Sequence, residues 1–231
     1  MLEELKERVL KANLDLVKNG LVLFTWGNVS AIDRKSGLVV IKPSGVKYED
    51  MTVEDMVVVD LNGKTVDGKL APSSDTPTHL ELYKAHKEIG GVAHTHSAYA
   101  TSFAQAGKSI KAYGTTHADY FYGDIPCTRS LAENEMGEYE KNTGVVINET
   151  FKDRNIVAIP SCLVKNHGVF VWGKDAEEAV YHATVTEEVA KMAYITEMLG
   201  CTDRLPRYIA DKHYNRKHGK NAYYGQRKQG Q

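Results

Sequence analysis

A single mixed α/β domain over residues 1–231, with an antiparallel sheet in its first half, is the fold class that three observations predict. The chain opens on an amphipathic helical repeat, the apolar runs that follow are short and strand-like, and one of them turns at Asn62-Gly63, a dipeptide typical of hairpins. At 231 residues with 42% hydrophobic side chains, one core can hold the whole chain, and no linker, repeat or low-complexity tract divides it.

Leu2, Leu5, Val9, Ala12 and Leu16 recur at helical spacing with charged residues between them, and Asn19-Gly20 supplies the stop. Leu21 to Thr25 and Leu38 to Ile41 read as strands. They are followed by Trp26-Gly27-Asn28-Val29-Ser30 and Lys42-Pro43-Ser44-Gly45, two small-residue loops able to line one pocket. Met56 to Leu61 is a third strand, closing at Asn62-Gly63 in a type I′ turn, where both central residues need positive φ.

Pro72-Ser73-Ser74-Asp75-Thr76-Pro77 precedes a helix over Thr78 to His86. Its hydroxyls and acid serve equally well as ordinary helix caps or, with the unpaired amides of a helix N-terminus, as a phosphate cradle. Lys42 adds a positive charge beside Ser44-Gly45, although a lone loop lysine is usually just solvated. Tyr99 to Ala106 is a short helix, and Gly114 to Gly123 an aromatic-rich loop or helix entry carrying Asp119, an acid/base candidate whose commoner fate is capping or surface exposure. Val145 to Phe151 is a helix; Ile156 to Ile159, Leu163 to Lys165 and Val169 to Trp172 are strands. Asp175 opens a long helix to about Leu199, with Glu178 completing a capping-box-like start. The basic, aromatic ending from Arg207 to Gln226 suits RNA contacts, docking on another subunit or a solvated terminus.

The chemistry centres on Val92-Ala93-His94-Thr95-His96-Ser97. On a strand, residues two apart share a face about 6.6 Å apart, which lets the rings of His94 and His96 converge on one cation. A catalytic zinc commonly takes three protein ligands and leaves one position open, and His167, between two apolar strands with Gly168 behind it, offers the third imidazole. A His-x-His pair by itself is more often a partly exposed histidine pair than a metal site; the setting at strand ends favours the metal.

Charge and cysteine usage narrow the partners. Lys plus Arg number 29 and Asp plus Glu 30, and the net charge of −1 gives no global field for nucleic acid or an anionic membrane. Cys127, Cys162 and Cys201 are odd in number and widely spaced, which argues for a reducing compartment, and no apolar run or leader pattern points to a membrane. The expectation is a cytoplasmic protein. Neither G-x-G-x-x-G nor a P-loop is present, so no NAD or nucleotide site is expected.

Together, Trp26-Gly27-Asn28-Val29-Ser30, Lys42-Pro43-Ser44-Gly45, Ser73-Ser74-Asp75-Thr76-Pro77-Thr78-His79, His94-Thr95-His96-Ser97, Thr115-Thr116-His117-Ala118-Asp119-Tyr120 and His167-Gly168 resemble the class II aldolase (aldolase/adducin head) family. The likeness runs nearly end to end, and the ending from Asp211-Lys212-His213-Tyr214 to Tyr223-Tyr224-Gly225-Gln226 resembles its sugar-phosphate epimerases. The resemblance implies a three-layer α/β/α fold with a central, mainly antiparallel sheet, a zinc, manganese or other divalent ion, and a homotetramer. It implies metal ligation by His94, His96 and His167 with Asp75 beside or in the ligand set. It further implies substrate phosphate held by Gly27, Asn28, Ser44, Gly45, Ser73 and Ser74 with help from Lys42. Asp119 and Tyr224 match the acid/base pair, Tyr224 reaching a neighbouring subunit's site. The implied activity is epimerisation; the alternative is a class II aldolase or dehydratase acting on another sugar phosphate, and Asp75, where the aldolases carry Glu, favours the epimerase. A non-catalytic module on this fold is the other rival.

Overall fold

Valine-rich runs that alternate with polar turns assemble into one sheet. The computed structural model describes residues 2–220 and 222–223. Its strands are β1 (Asn28–Asp33), β2 (Leu38–Ile41), β3 (Val57–Val59), β4 (Thr65–Asp67), β5 (Gly91–Thr95), β6 (Ser161–Leu163) and β7 (Val169–Gly173), ordered β4-β3-β2-β1-β5-β7-β6 and antiparallel at each pairing. The middle strands read as continuous apolar runs because both faces are covered; Val39, Val40, Ile41, Val57, Val58 and Val59 are all fully buried. Each such side chain contributes about 1.5–3 kcal/mol of transfer free energy.

Cross-strand register decides which residues share a face. Asn28 pairs with His94, Ser30 with Val92, Val92 with Trp172 and His94 with Phe170, so these six side chains lie on one side of the sheet. Helices α2 (Thr76–Ala85) and α5 (Tyr139–Thr150) cover that side. The His79 ring meets Phe170 edge-on at 5.9 Å, the Tyr83 hydroxyl lies 2.8 Å from Ser30 Oγ, and Phe151 packs edge-on against Trp172 at 5.1 Å. On the opposite side lie α1 (Glu3–Lys18) and α6 (Ala176–Met198), with α3 (Ala98–Ala106) against α6. Asn13 of α1 is fully buried and answers both backbone groups of Val29, donating to its carbonyl at 3.1 Å and accepting its N–H at 2.9 Å. In α6 the Asp175 carboxylate caps the Glu178 N–H at 2.8 Å, and buried alanines at 179, 183, 190 and 193 form the sheet-facing side. The result is the expected three-layer α/β/α arrangement. Among the described residues no helix is long and apolar enough to cross a membrane.

Several local readings are corrected. Leu21 to Thr25 is not a strand: Leu21 and Val22 are buried without a sheet partner, Phe24 turns the chain at φ 53°, and the strand begins at Asn28, inside the segment read as a loop. The turn after β3 is not type I′, since only Gly63 has positive φ; the Asp60 side chain accepts the Asn62 and Lys64 N–H groups and sets a different turn. Ile156 to Ile159 is coiled, because Asn155 Oδ1 takes the Val157 and Ala158 N–H groups that a ladder would need. The basic ending contains a helix, α7 (Arg207–His218), packed against the short α4 (Thr115–Ala118).

Candidate metal centre and adjoining cleft

At one end of the sheet, the C-terminus of β5, the turn into β7 and the start of β1 meet. His94 is the penultimate residue of β5, His96 follows the strand, and His167 occupies the tight β6–β7 turn closed by Val164 N–H to Gly168 O at 2.8 Å, with Asn166 at φ 65°. The donor nitrogens of the three imidazoles lie within 4.8 Å of one another. His94 Nδ1 is 3.0 Å from the Val169 carbonyl, so it carries the proton and donates, leaving the Nε2 lone pair to face His96 Nε2 at 3.0 Å. Converging imidazole lone pairs repel unless something positive lies between them. This donor set therefore fits a divalent cation, with His94, His96 and His167 as its holders. Burial pushes the His94 imidazole down to about 3 against the opposing field of Asp75, and burial likewise lowers His96 and His167, so all three are held neutral, the ligating form.

The turn leaves no spare room. A Cβ on Gly168 would stand 2.7 Å from Thr95 O and 2.8 Å from His96 Cδ2, and one on Gly27, at φ 72°, would stand 2.7 Å from His94 O. Both glycines are what allow the neighbouring loops to press against β5.

Asp75 is the N-cap of α2, but its carboxylate does not cap the helix. It accepts from Asn28 Nδ2 at 2.7 Å and stands 4.0 Å from His94 Nε2, beside the imidazole group. Burial raises its pKa, but the fields of His94 and His79 and the Asn28 bond outweigh that and lower it. The Asp75 side chain therefore does not serve as the ordinary helix cap that the sequence allowed. Asn28 also donates to Ser73 Oγ at 3.0 Å, tying β1 to the loop before α2.

These groups line an open cleft of about 490 Å³ that brings together Gly27, Asn28, Lys42, Ser44, Gly45, Ser73, Ser74, Asp75, His94, His96 and His167. The 42–45 loop is fixed to the 71–73 loop by Ser44 N–H to Ala71 O and Ser73 N–H to Lys42 O, both at 2.9 Å. Among the described residues the N–H groups of Gly27, Gly45 and Ser74 have no acceptor, and buried Lys42 meets only the Thr25 and Pro43 carbonyls through Nζ, at 3.5 and 3.3 Å. Free amides and a desolvated cation on one wall are the requirements of an anion site.

Tyr139 and Glu140, at the start of α5, also line the cleft, Tyr139 with its ring 5.8 Å from His167. No sequence signal marked them, because they reach it only through the packing of α5 on α2. Asp119 is not among the lining residues. It is buried at the end of α4 against α7, where Arg216 forks onto its two oxygens at 3.0 and 2.7 Å and His213 Nδ1 lies 3.0 Å away. Burial raises the Asp119 pKa, but these hydrogen bonds outweigh it and hold the group ionised. Tyr224 lies outside the described residues.

Comparison with known proteins places this fold, with its histidine-lined cleft, in a family. Residues 7–194 match the family model for the class II aldolase and adducin N-terminal domain, and the chain belongs to that family. It is 58% identical over 228 residues, covering 98% of this chain and 100% of the relative, to the L-ribulose-5-phosphate 4-epimerase UlaF of Salmonella paratyphi B. Among solved structures, an L-fuculose 1-phosphate aldolase superposes with a TM-score of 0.78 at 26% identity, covering 90% of this chain and 95% of its own. An L-fuculose 1-phosphate aldolase from Glaciozyma antarctica shares the fold at a TM-score of 0.78 and 19% identity, covering 95% and 84% of the two chains.

Proposed function

We propose that this chain is a metal-dependent epimerase that interconverts L-ribulose 5-phosphate and D-xylulose 5-phosphate by breaking and remaking the bond between carbons 3 and 4. The observation that carries the reading is the 58% identity with a 4-epimerase over 98% of the chain, with the candidate ligands and anion loops meeting in one cleft. The hydrogen on carbon 4 of a 2-ketose is one carbon too far from the carbonyl to be acidic. Inversion there requires either transient oxidation or cleavage of the adjacent carbon–carbon bond, and the sequence lacks a dinucleotide fingerprint.

His94, His96 and His167 would hold a divalent cation, which would supply Lewis acidity to the reaction. Zinc suits an all-imidazole set with an open position, and the nearby Asp75 carboxylate makes manganese the alternative. Gly27, Asn28, Ser44, Gly45, Ser73 and Ser74, with Lys42, hold the phosphate of the two-carbon aldehyde while its carbonyl turns to present the other face. Because the carbon 4 hydroxyl points opposite ways in the two epimers, one proton-transfer group is needed on each side. Asp119 and Tyr224 fill these roles.

Asp119 does not reach its own chain's cleft, and α7, which leads toward Tyr224, is docked on it. Asp119 therefore acts on the cleft of a neighbouring subunit in a homotetramer, and Tyr224 is assigned the same direction by the family resemblance. Three free cysteines suit the cytoplasm. The test is conversion of L-ribulose 5-phosphate to D-xylulose 5-phosphate with chelator and after metal return. The expected result is activity abolished and then restored, with little free glycolaldehyde phosphate. Release of that aldehyde as the main product would favour an aldolase instead.

A further inference from the structure

We propose that Tyr48 is the positioning residue of the anion end of the cleft, clamping the Trp26–Gly27 carbonyls with its hydroxyl and covering the Lys42 ammonium with its ring. The inference rests on the phosphate reading of that end. Tyr48 begins a short helical turn after β2 and is buried behind the cleft rather than lining it. Its hydroxyl lies 2.7 Å from the Trp26 carbonyl and 3.0 Å from the Gly27 carbonyl, two successive peptide groups of the loop that carries Asn28. One phenolic proton is shared between them, and the shorter contact is the main bond. Burial raises the phenol's pKa, so it stays a donor throughout the working range.

The consequence follows from peptide planarity. In a trans peptide the C=O and N–H point to opposite sides, so a Trp26 carbonyl drawn back onto Tyr48 turns the Gly27 N–H the other way. Gly27 lines the cleft, and its N–H has no acceptor among the described residues. Gly27, at φ 72°, has no side chain to fix its peptide, and the Tyr48 hydroxyl is the hydrogen bond that fixes the Trp26 carbonyl. The same ring faces Lys42: Nζ stands 5.0 Å from its centroid. Lys42 is buried with only two long carbonyl contacts through Nζ, and the ring's negative face steadies the cation together with the field of Asp75 until an anion arrives. One side chain thus fixes an amide donor and a charge that come from different loops, one before β1 and one after β2.

Two variants separate the two contributions: Tyr48→Phe keeps the ring and removes the clamp, and Tyr48→Leu removes both. Each is assayed for kcat and KM on L-ribulose 5-phosphate, for competitive inhibition by inorganic phosphate, and for bound metal. A phosphate keeps its charge through the reaction, so its binding is uniform and a loss appears in KM with kcat nearly unchanged. The expected result for Tyr48→Phe is a rise of about tenfold in both KM and the phosphate inhibition constant, the scale of one hydrogen bond. Bound metal and kcat stay within twofold, and Tyr48→Leu shows a larger rise. If phosphate fails to compete even in the unaltered protein, the phosphate reading falls and this inference with it. If phosphate competes there and equally well in Tyr48→Phe, the phosphate reading stands and the positioning role is overturned. Loss of metal, or a fall in kcat at constant KM, would also overturn it, because either places Tyr48 in the general stability of the site.

Discussion

Replacing Gly168 by alanine tests whether the metal centre is set by close backbone approach. The added Cβ would stand 2.8 Å from His96 Cδ2 and 2.7 Å from the Thr95 carbonyl, against an ordinary contact of 3.4 Å or more. The ring or the turn must therefore move by about 0.6 Å, and metal–ligand distances tolerate only about 0.2 Å. Thr95 O belongs to β5, which is hydrogen-bonded on both sides, so the strand cannot yield and the displacement falls on His96 or His167. Disturbances of ligand orientation of this kind cost about 10–100-fold in metal affinity. Global overpacking adds about 1–3 kcal/mol of destabilisation. The assay is zinc titration against a competing chromogenic chelator, with far-ultraviolet circular dichroism to confirm folding. Gly137→Ala, where a Cβ meets nothing within 4 Å, is the control and should bind as the unaltered chain does. Metal affinity in Gly168→Ala within twofold of that control would refute the argument.

Two further outcomes are expected. Burial pushes His79 down to about 4, so as pH falls below about 6.5 the unfolded chain takes up a proton that the folded chain refuses until about 4, and stability drops through that window. His79→Gln should flatten the stability–pH slope between pH 6 and 5 by about one proton, or about 1.4 kcal/mol per pH unit, measured by urea unfolding of the metal-free protein; an unchanged slope would mean the imidazole is not held neutral. Mixing inactive Tyr224→Phe and inactive His96→Asn chains should restore up to about a quarter of the sites if the tyrosine acts across a boundary, since each active site then draws one intact group from each chain type. Hybrids that form and remain inactive would put Tyr224 in its own subunit or outside the chemistry.

The site was legible in the sequence to the extent that its geometry is local. His94 and His96 could be paired from strand spacing alone, and Asn166-His167-Gly168 announced a tight turn by residue type. The capping chemistry before α2 was visible, but its use was not. Whether Asp75 turns toward its own helix or toward Asn28 depends on β1 arriving 47 residues earlier, which no local pattern encodes. Leu21 to Thr25 passed for a strand because a short apolar run reads the same in a strand and in a connecting turn, whereas here Leu21 and Val22 are buried and Leu23 and Phe24 are exposed. Tyr139, Glu140 and Tyr48 were silent because their roles arise from helix packing and from carbonyls, which carry no residue identity.

Asp119 separates two kinds of evidence. Its motif matched a family pattern, yet in the folded chain its carboxylate is gripped by Arg216 and His213 and lies away from the cleft. An acid/base group buried under a helix of its own chain has no proton to exchange with a substrate it cannot reach. Either the match carries no function here, or the reacting surface is completed by a second copy. The ion pair favours the second reading. Arg216 keeps the carboxylate ionised, the state a base requires, and it does so from α7. On this view the α4–α7 contact is part of the proton-transfer apparatus rather than a spare tail. Arg216→Met should then lower kcat and shift the acidic limb of its pH profile upward, while leaving bound metal and phosphate inhibition unchanged. A variant that instead lost metal or phosphate affinity would place α7 among the supports of its own cleft.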